Sequence, residues 1–228
     1  MKTTTIKVGK IVEVLNKLGV SDRDIKTAIY ICKLITFLEK IVFPNNPIGI
    51  SIFKHYGKSR KRGTIVCYVY NKTDAHPARY EIYAKGIEKK VESFLCRHIL
   101  LVDNNGKWRK RNSSGVSLSW EMICLIIAAH EVRHRIQHEI CVKQFSLSLA
   151  RKFSSMSLGG VSRDSMLKAS AIVRRLVYLA VEKGKKRIRR EEFDADVVAY
   201  FMANMWRIRK LTKKDIAIIM KTEPLKTN

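Results

Sequence analysis

An α+β fold, with a small antiparallel or mixed sheet packed on helices, is what this sequence predicts, on three observations. Apolar residues recur at helical spacing through residues 8 to 42, and β-branched and aromatic residues concentrate in three short segments between 48 and 85. From about residue 119 the helical spacing returns and persists almost to the end of the chain. At 228 residues and 46% apolar content the chain can bury one good core, so a single domain, 1–228, is expected. Within it, 1–43 is read as an N-terminal helical hairpin, 48–112 as the sheet region and 118–228 as a helical region.

The hairpin rests on Ile11, Val14, Leu15 and Leu18 in residues 8 to 19, and on Ile25, Ala28, Ile29, Cys32 and Leu38 in residues 22 to 42. Gly19 supplies a helix stop, and Ser21-Asp22 a helix start. Pro44 to Gly49 ends the second helix, and strands are predicted at 48 to 54, 63 to 71 and 78 to 85, the last two joined by a turn containing Asp74 and Pro77. Residues 87 to 97 suit a helix. His98 to Asp103 reads as a further strand closed by the tight turn Asn104-Asn105-Gly106, and Lys107 to Ser117 as a loop. A helix with an apolar first half runs from Ser119 to about Val142. Gly159-Gly160, amid the serines of Phe153 to Ser162, predicts a mobile connection that could border a cleft. Helices at about 163 to 183, 190 to 208 and 212 to 221 complete the order, the last before Pro224 and a fraying tail.

The chemistry lies in His130-Glu131-Val132-Arg133-His134, an H-E-x-x-H pattern. Residues four apart on a helix share one face about 6 Å apart, so both imidazoles can bind one metal ion while the glutamate reaches a metal-bound water. A zinc site of this kind needs a third protein ligand and an open position, and one helix cannot surround the ion. Glu192-x-x-Ala195-Asp196 offers that ligand: two carboxylates four apart, with the small Ala195 permitting close helix approach. Glu192 is then the metal ligand. Asp196 accepts the second ring N–H of a ligand histidine, His130 in this reading, which fixes its tautomer. Taken alone, the acids of 191 to 196 equally suit the opening of a helix, whose dipole they complement.

Together the two motifs resemble those of the gluzincin metallopeptidases, in particular the compact minigluzincins and related proteases with the E-x-x-A-D form of the glutamate helix. The resemblance covers about residues 115 to 210. It implies a zincin-like fold, with the sheet packed on an active-site helix and a glutamate helix. It also implies Zn2+ held by His130, His134 and Glu192, Glu131 as general base, and Asp196 in support. An edge strand that pairs with an extended peptide belongs to the same implication, with 78 to 85 or 98 to 103 as candidates. One departure stands out. Zincin helices prefer uncharged residues where this chain carries Arg133 and Arg135, and an unusually electropositive cleft is the expected consequence.

Lys and Arg outnumber Asp and Glu 45 to 20, a net charge of +25 and a pI near 10.1. Such a field attracts polyanions, so nucleic acid is a candidate partner. The basic clusters are Lys58 to Arg62, Lys107 to Arg111 around Trp108, Arg174-Arg175, Lys183 to Arg190, and Arg207 to Lys214. Five cysteines, Cys32, Cys67, Cys96, Cys124 and Cys141, form no C-x-x-C pair and fit reduced thiols in a cytoplasmic protein. No signal peptide and no membrane span are expected. The sequence therefore predicts a soluble zinc-dependent endopeptidase acting on a peptide or protein. The alternative is a basic nucleic-acid-binding protein on an inactive zincin-like scaffold. Zinc endoribonucleases of the H-x-x-x-H type fit less well, because they need a third histidine where this chain has Ile140. No oxyanion donor is assigned among His138, Tyr200 and the arginines. As a third ligand His138 is too far, about 12 Å along the axis from His130.

Overall fold

A computed structural model of the chain describes residues 8–54, 65–70, 78–97, 101–102, 108–109, 119–139, 158, 162–164, 167, 190–208 and 210–222. The hairpin consists of α1, Val8–Lys17, and α2, Asp22–Val42. Gly19 has φ 69°, and the N–H groups of Gly19 and Val20 donate to the carbonyls of Asn16 and Leu15. This is the paired-bond helix end that a left-handed residue permits, and buried Leu15 and Val20 supply its apolar contact. Ser21 caps α2 by accepting from the Asp24 N–H.

Asp24 is itself used at a distance, since its carboxylate accepts from the N–H groups of Gly86 and Glu88. It thereby caps α3, Ile87–Arg97, and fixes that helix to the hairpin. Strands β1, Gly49–Phe53, β2, Val66–Val69, and β3, Arg79–Tyr83, form a mixed sheet in the order β1-β3-β2. The first pair is parallel, with Ile50 opposite Tyr80, and the second antiparallel, with Tyr68 opposite Tyr80. Segment 78 to 85, a candidate edge strand from its sequence, is thus the central strand, with both edges used. β4, Leu101–Val102, pairs with β5, Trp108–Arg109, so part of the expected loop from Lys107 is extended.

At the centre lies α4, Trp120–Glu139. Ile123, Cys124, Ile126, Ala128 and Ala129 are buried in succession, the apolar-all-round composition of a helix enclosed by its neighbours. Around it pack α2, α3, β2 and two later helices, α5, Arg190–Ile208, and α6, Lys213–Lys221. α5 makes the largest interface with it, through Ala195, Val198, Ala199 and Met202, all buried. α6 opens on a capping box, Thr212 and Asp215 each accepting from the other's backbone N–H. Among the described residues no helix is long and apolar enough to cross a membrane. Most of the connection expected at 153 to 162, most of the helix expected at 163 to 183 and most basic clusters lie outside the described residues.

Candidate metal centre

His130 and His134 sit one turn apart in the second half of α4, and α5 brings Glu192 over them from its first turn. Nε2 of His130 lies 3.0 Å from Nε2 of His134, and Oε2 of Glu192 lies 3.3 and 3.6 Å from those two nitrogens. A tetrahedral ion with bonds of about 2.05 Å keeps its donors about 3.3 Å apart. The three separations bracket that value, so two imidazoles and a carboxylate present a donor triangle of the size and chemistry that zinc takes. Among the described residues this is the group of His, Cys, Asp and Glu able to hold a metal ion. Both imidazoles are largely covered, 17% and 16% exposed, whereas the Glu192 side chain is 51% exposed and marks the side open to solvent.

Behind the triangle each imidazole has a different partner. Nδ1 of His130 is 2.8 Å from Oδ1 of Asp196, and Nδ1 of His134 is 2.8 Å from Oε1 of Gln137. Asp196 and Glu192 share a face of α5 because they are four residues apart. Glu131 is buried beside the pair, and its Oε2 accepts the N–H of Tyr68 at 2.7 Å. That bond brings β2 against α4 and leaves Oε1 of the carboxylate without a bond to β2.

The electrostatics follow from this crowding. Burial disfavours the charged form of His130, but the hydrogen bonds of Asp196 and Glu192 outweigh it and raise its pKa well above the usual imidazole value. His134 is raised in the same way, burial opposed chiefly by Glu192. The two imidazoles hold Glu192 far below the ordinary carboxylate range. Burial pushes Glu131 up, against the attraction of His130 and His134 and the Tyr68 N–H. The triangle thus combines one carboxylate with two imidazoles, acid and imidazoles each shifted toward the charged form by the other.

Arg133 and Arg135 do not line the cleft, contrary to the electropositive cleft expected from the sequence. Both are fully buried on the other sides of α4. Arg133 Nε and Nη2 donate to the two oxygens of Asp194 at 2.7 and 3.1 Å, while Nη1 donates to the Met220 carbonyl and Nη2 also to the Thr222 carbonyl. Arg135 binds Glu39 of α2, Glu139 and the Asn46 carbonyl, with its guanidinium 3.8 Å from the centre of the Phe43 ring. Tyr80 donates to the same Glu39. A buried charge persists only when its donors are matched, and here the departure from the usual motif is matched by two acids from other helices.

His138 lies at the outer end of α4 with its ring stacked on Tyr70, centroids 4.5 Å apart. Tyr200 is buried one turn beyond Asp196. Gln137 and Asp194 carry no role in the sequence reading. The signal for Gln137 is its place three residues after His134, where an amide can reach back to the ring. Asp194 has none, because its partners are 57 and 61 residues away. Comparison of the chain with protein-family models, curated proteins and solved structures finds no match.

Proposed function

We propose that this protein is a zinc-dependent endopeptidase of zincin-like architecture, with His130, His134 and Glu192 as zinc ligands and Glu131 as general base. The observation that carries the reading is the donor triangle with its 3.0, 3.3 and 3.6 Å edges beside a buried carboxylate. A bound zinc ion supplies Lewis acidity, polarising a carbonyl oxygen and lowering the pKa of water. Glu131, anchored through Oε2 by the Tyr68 N–H, takes a proton on Oε1 as the water oxygen bonds to the carbonyl carbon. The same carboxyl then gives that proton to the amide nitrogen as the C–N bond breaks, leaving an acid and an amine.

Substrate selection draws on β2. It is an outer strand of the sheet, and its Tyr68 N–H points away from β3 toward the base. With the Tyr68 N–H held by Glu131, an extended peptide laid along that edge would pair with its other outward backbone groups, so many sequences fit and the scissile bond lies close to Glu131. The net charge of +25 supports a further feature, attraction to acidic proteins or to proteins bound on nucleic acid.

The test is cleavage of a fluorogenic peptide library by zinc-loaded protein, alongside the same protein stripped by chelator and the Glu131→Gln variant. Cleavage that zinc restores, and that Glu131→Gln reduces by about two to four orders of magnitude while still binding zinc, supports the reading. Zinc binding without cleavage of any peptide would refute the peptidase assignment, and binding of nucleic acid by that inactive protein would favour a scaffold role.

A further inference from the structure

Gln137, Asp194 and Arg133 form a directed chain of hydrogen bonds behind the second imidazole, and we infer that this chain sets the tautomer of His134. Its direction follows from what each group can do. A guanidinium has only donors and an ionised carboxylate only acceptors, so Asp194 receives Arg133 and must also receive the Gln137 amide. Nε2 of Gln137 is spent on Oδ2 of Asp194 at 2.7 Å, which turns Oε1 toward His134. An amide oxygen only accepts, so Nδ1 of His134 must carry the proton and Nε2 is left with a bare lone pair in the donor triangle.

The arrangement is unlike that at His130, where the carboxylate of Asp196 meets the ring directly. A carboxylate beside both rings would add a second negative charge at the edge of the site. The amide delivers the same tautomer with the charge kept one residue away and neutralised by Arg133. Two further bonds tie the far end of the chain to the last turn of α6, through the carbonyls of Met220 and Thr222. His134 is therefore oriented by residues of three helices, and Gln137 is a positioning residue, not a ligand. The inference rests on the zinc reading only for the identity of the ion.

Two measurements test it on the full chain. The first is the imidazole 15N shifts of His134 in metal-free protein at a pH where that ring is neutral, for wild type and Gln137→Met, which keeps the volume and removes both amide groups. The second is zinc affinity by chelator competition. Expected are the Nδ1–H tautomer in wild type, appearance of Nε2–H in Gln137→Met, and about a tenfold to hundredfold loss of zinc affinity. Wholly retained Nδ1–H in the variant, or unchanged zinc affinity, overturns the inference. The paired variant Arg133→Met with Asp194→Leu removes the carboxylate that accepts the Gln137 amide while leaving Gln137 in place. It carries the test if Gln137→Met does not fold: Nε2–H should appear beside Nδ1–H, and wholly retained Nδ1–H in this pair overturns the proposal. Should wild type bind no zinc, a tautomer change on Gln137→Met still supports the relay while the zinc reading falls.

Discussion

Replacing Arg133 by methionine should cost about 3–5 kcal/mol of folding stability, the range for breaking a buried ion pair from one side. Its guanidinium is fully buried and donates at 2.7 and 3.1 Å to Asp194, at 2.6 Å to the Met220 carbonyl and at 2.9 Å to the Thr222 carbonyl. Methionine fills much of the volume but supplies no donor. Two carbonyls and a carboxylate are then left inside the protein, with Gln137 the remaining donor to Asp194 given by the geometry. A domain of this size has about 5–15 kcal/mol in total, so the variant sits near the limit of folding. Combining Arg133→Met with Asp194→Leu removes both charges and should recover more than half of the loss, since apolar replacement of a buried pair is close to neutral. Recovery stays incomplete because the two carbonyls remain unpaired. Urea unfolding midpoints for wild type, the single and the double variant measure this directly. A loss below about 1 kcal/mol in the single variant, or a double variant no better than the single, would refute the buried-pair argument.

Histidine protonation gives the next expectation. The folded pKa values of His130 and His134 are raised above 6.5, so the stabilisation they give metal-free protein is complete below that pH and is lost as pH rises through the folded values. Zinc must displace those protons, so the rise in melting temperature on zinc addition should be larger at about pH 8 than at about pH 6. A zinc-induced rise that is equal or greater at the lower pH contradicts it. Tyr80→Phe removes the hydroxyl donor to buried Glu39 and should cost about 1–3 kcal/mol by urea unfolding, with zinc affinity unchanged. Gly19→Ala meets no atom within 4 Å but must adopt φ 69°, so a loss of about 1 kcal/mol is expected from the backbone alone. No loss there would mean that the turn relaxes.

Local features of the fold were legible in the sequence because short-range physics decides them. Gly19 as a helix stop, Ser21 as a cap and the three strand segments each depend on neighbours in the chain. Strand order was not legible: β1 lies parallel to β3, a pairing set by how the sheet seats on α4, and it moves segment 78 to 85 from a candidate edge to the centre. The triangle of His130, His134 and Glu192 was readable because helical spacing and the needs of a tetrahedral ion both constrain it. Arg133 and Arg135 misled for the opposite reason. Charge in a sequence suggests solvent or cleft, and the acids that permit their burial lie 61 and 96 residues away. Gln137 and Asp194 became meaningful only once that burial was seen.

Metal content tests the central claim most directly. Protein purified without chelator or metal-affinity resin, wild type beside Glu192→Ala, is assayed by elemental mass spectrometry. The donor triangle predicts about one zinc per chain in wild type and a strong reduction in the variant, with both proteins folded. No zinc in either protein, even after zinc is added and excess removed, would contradict a metal centre at His130, His134 and Glu192.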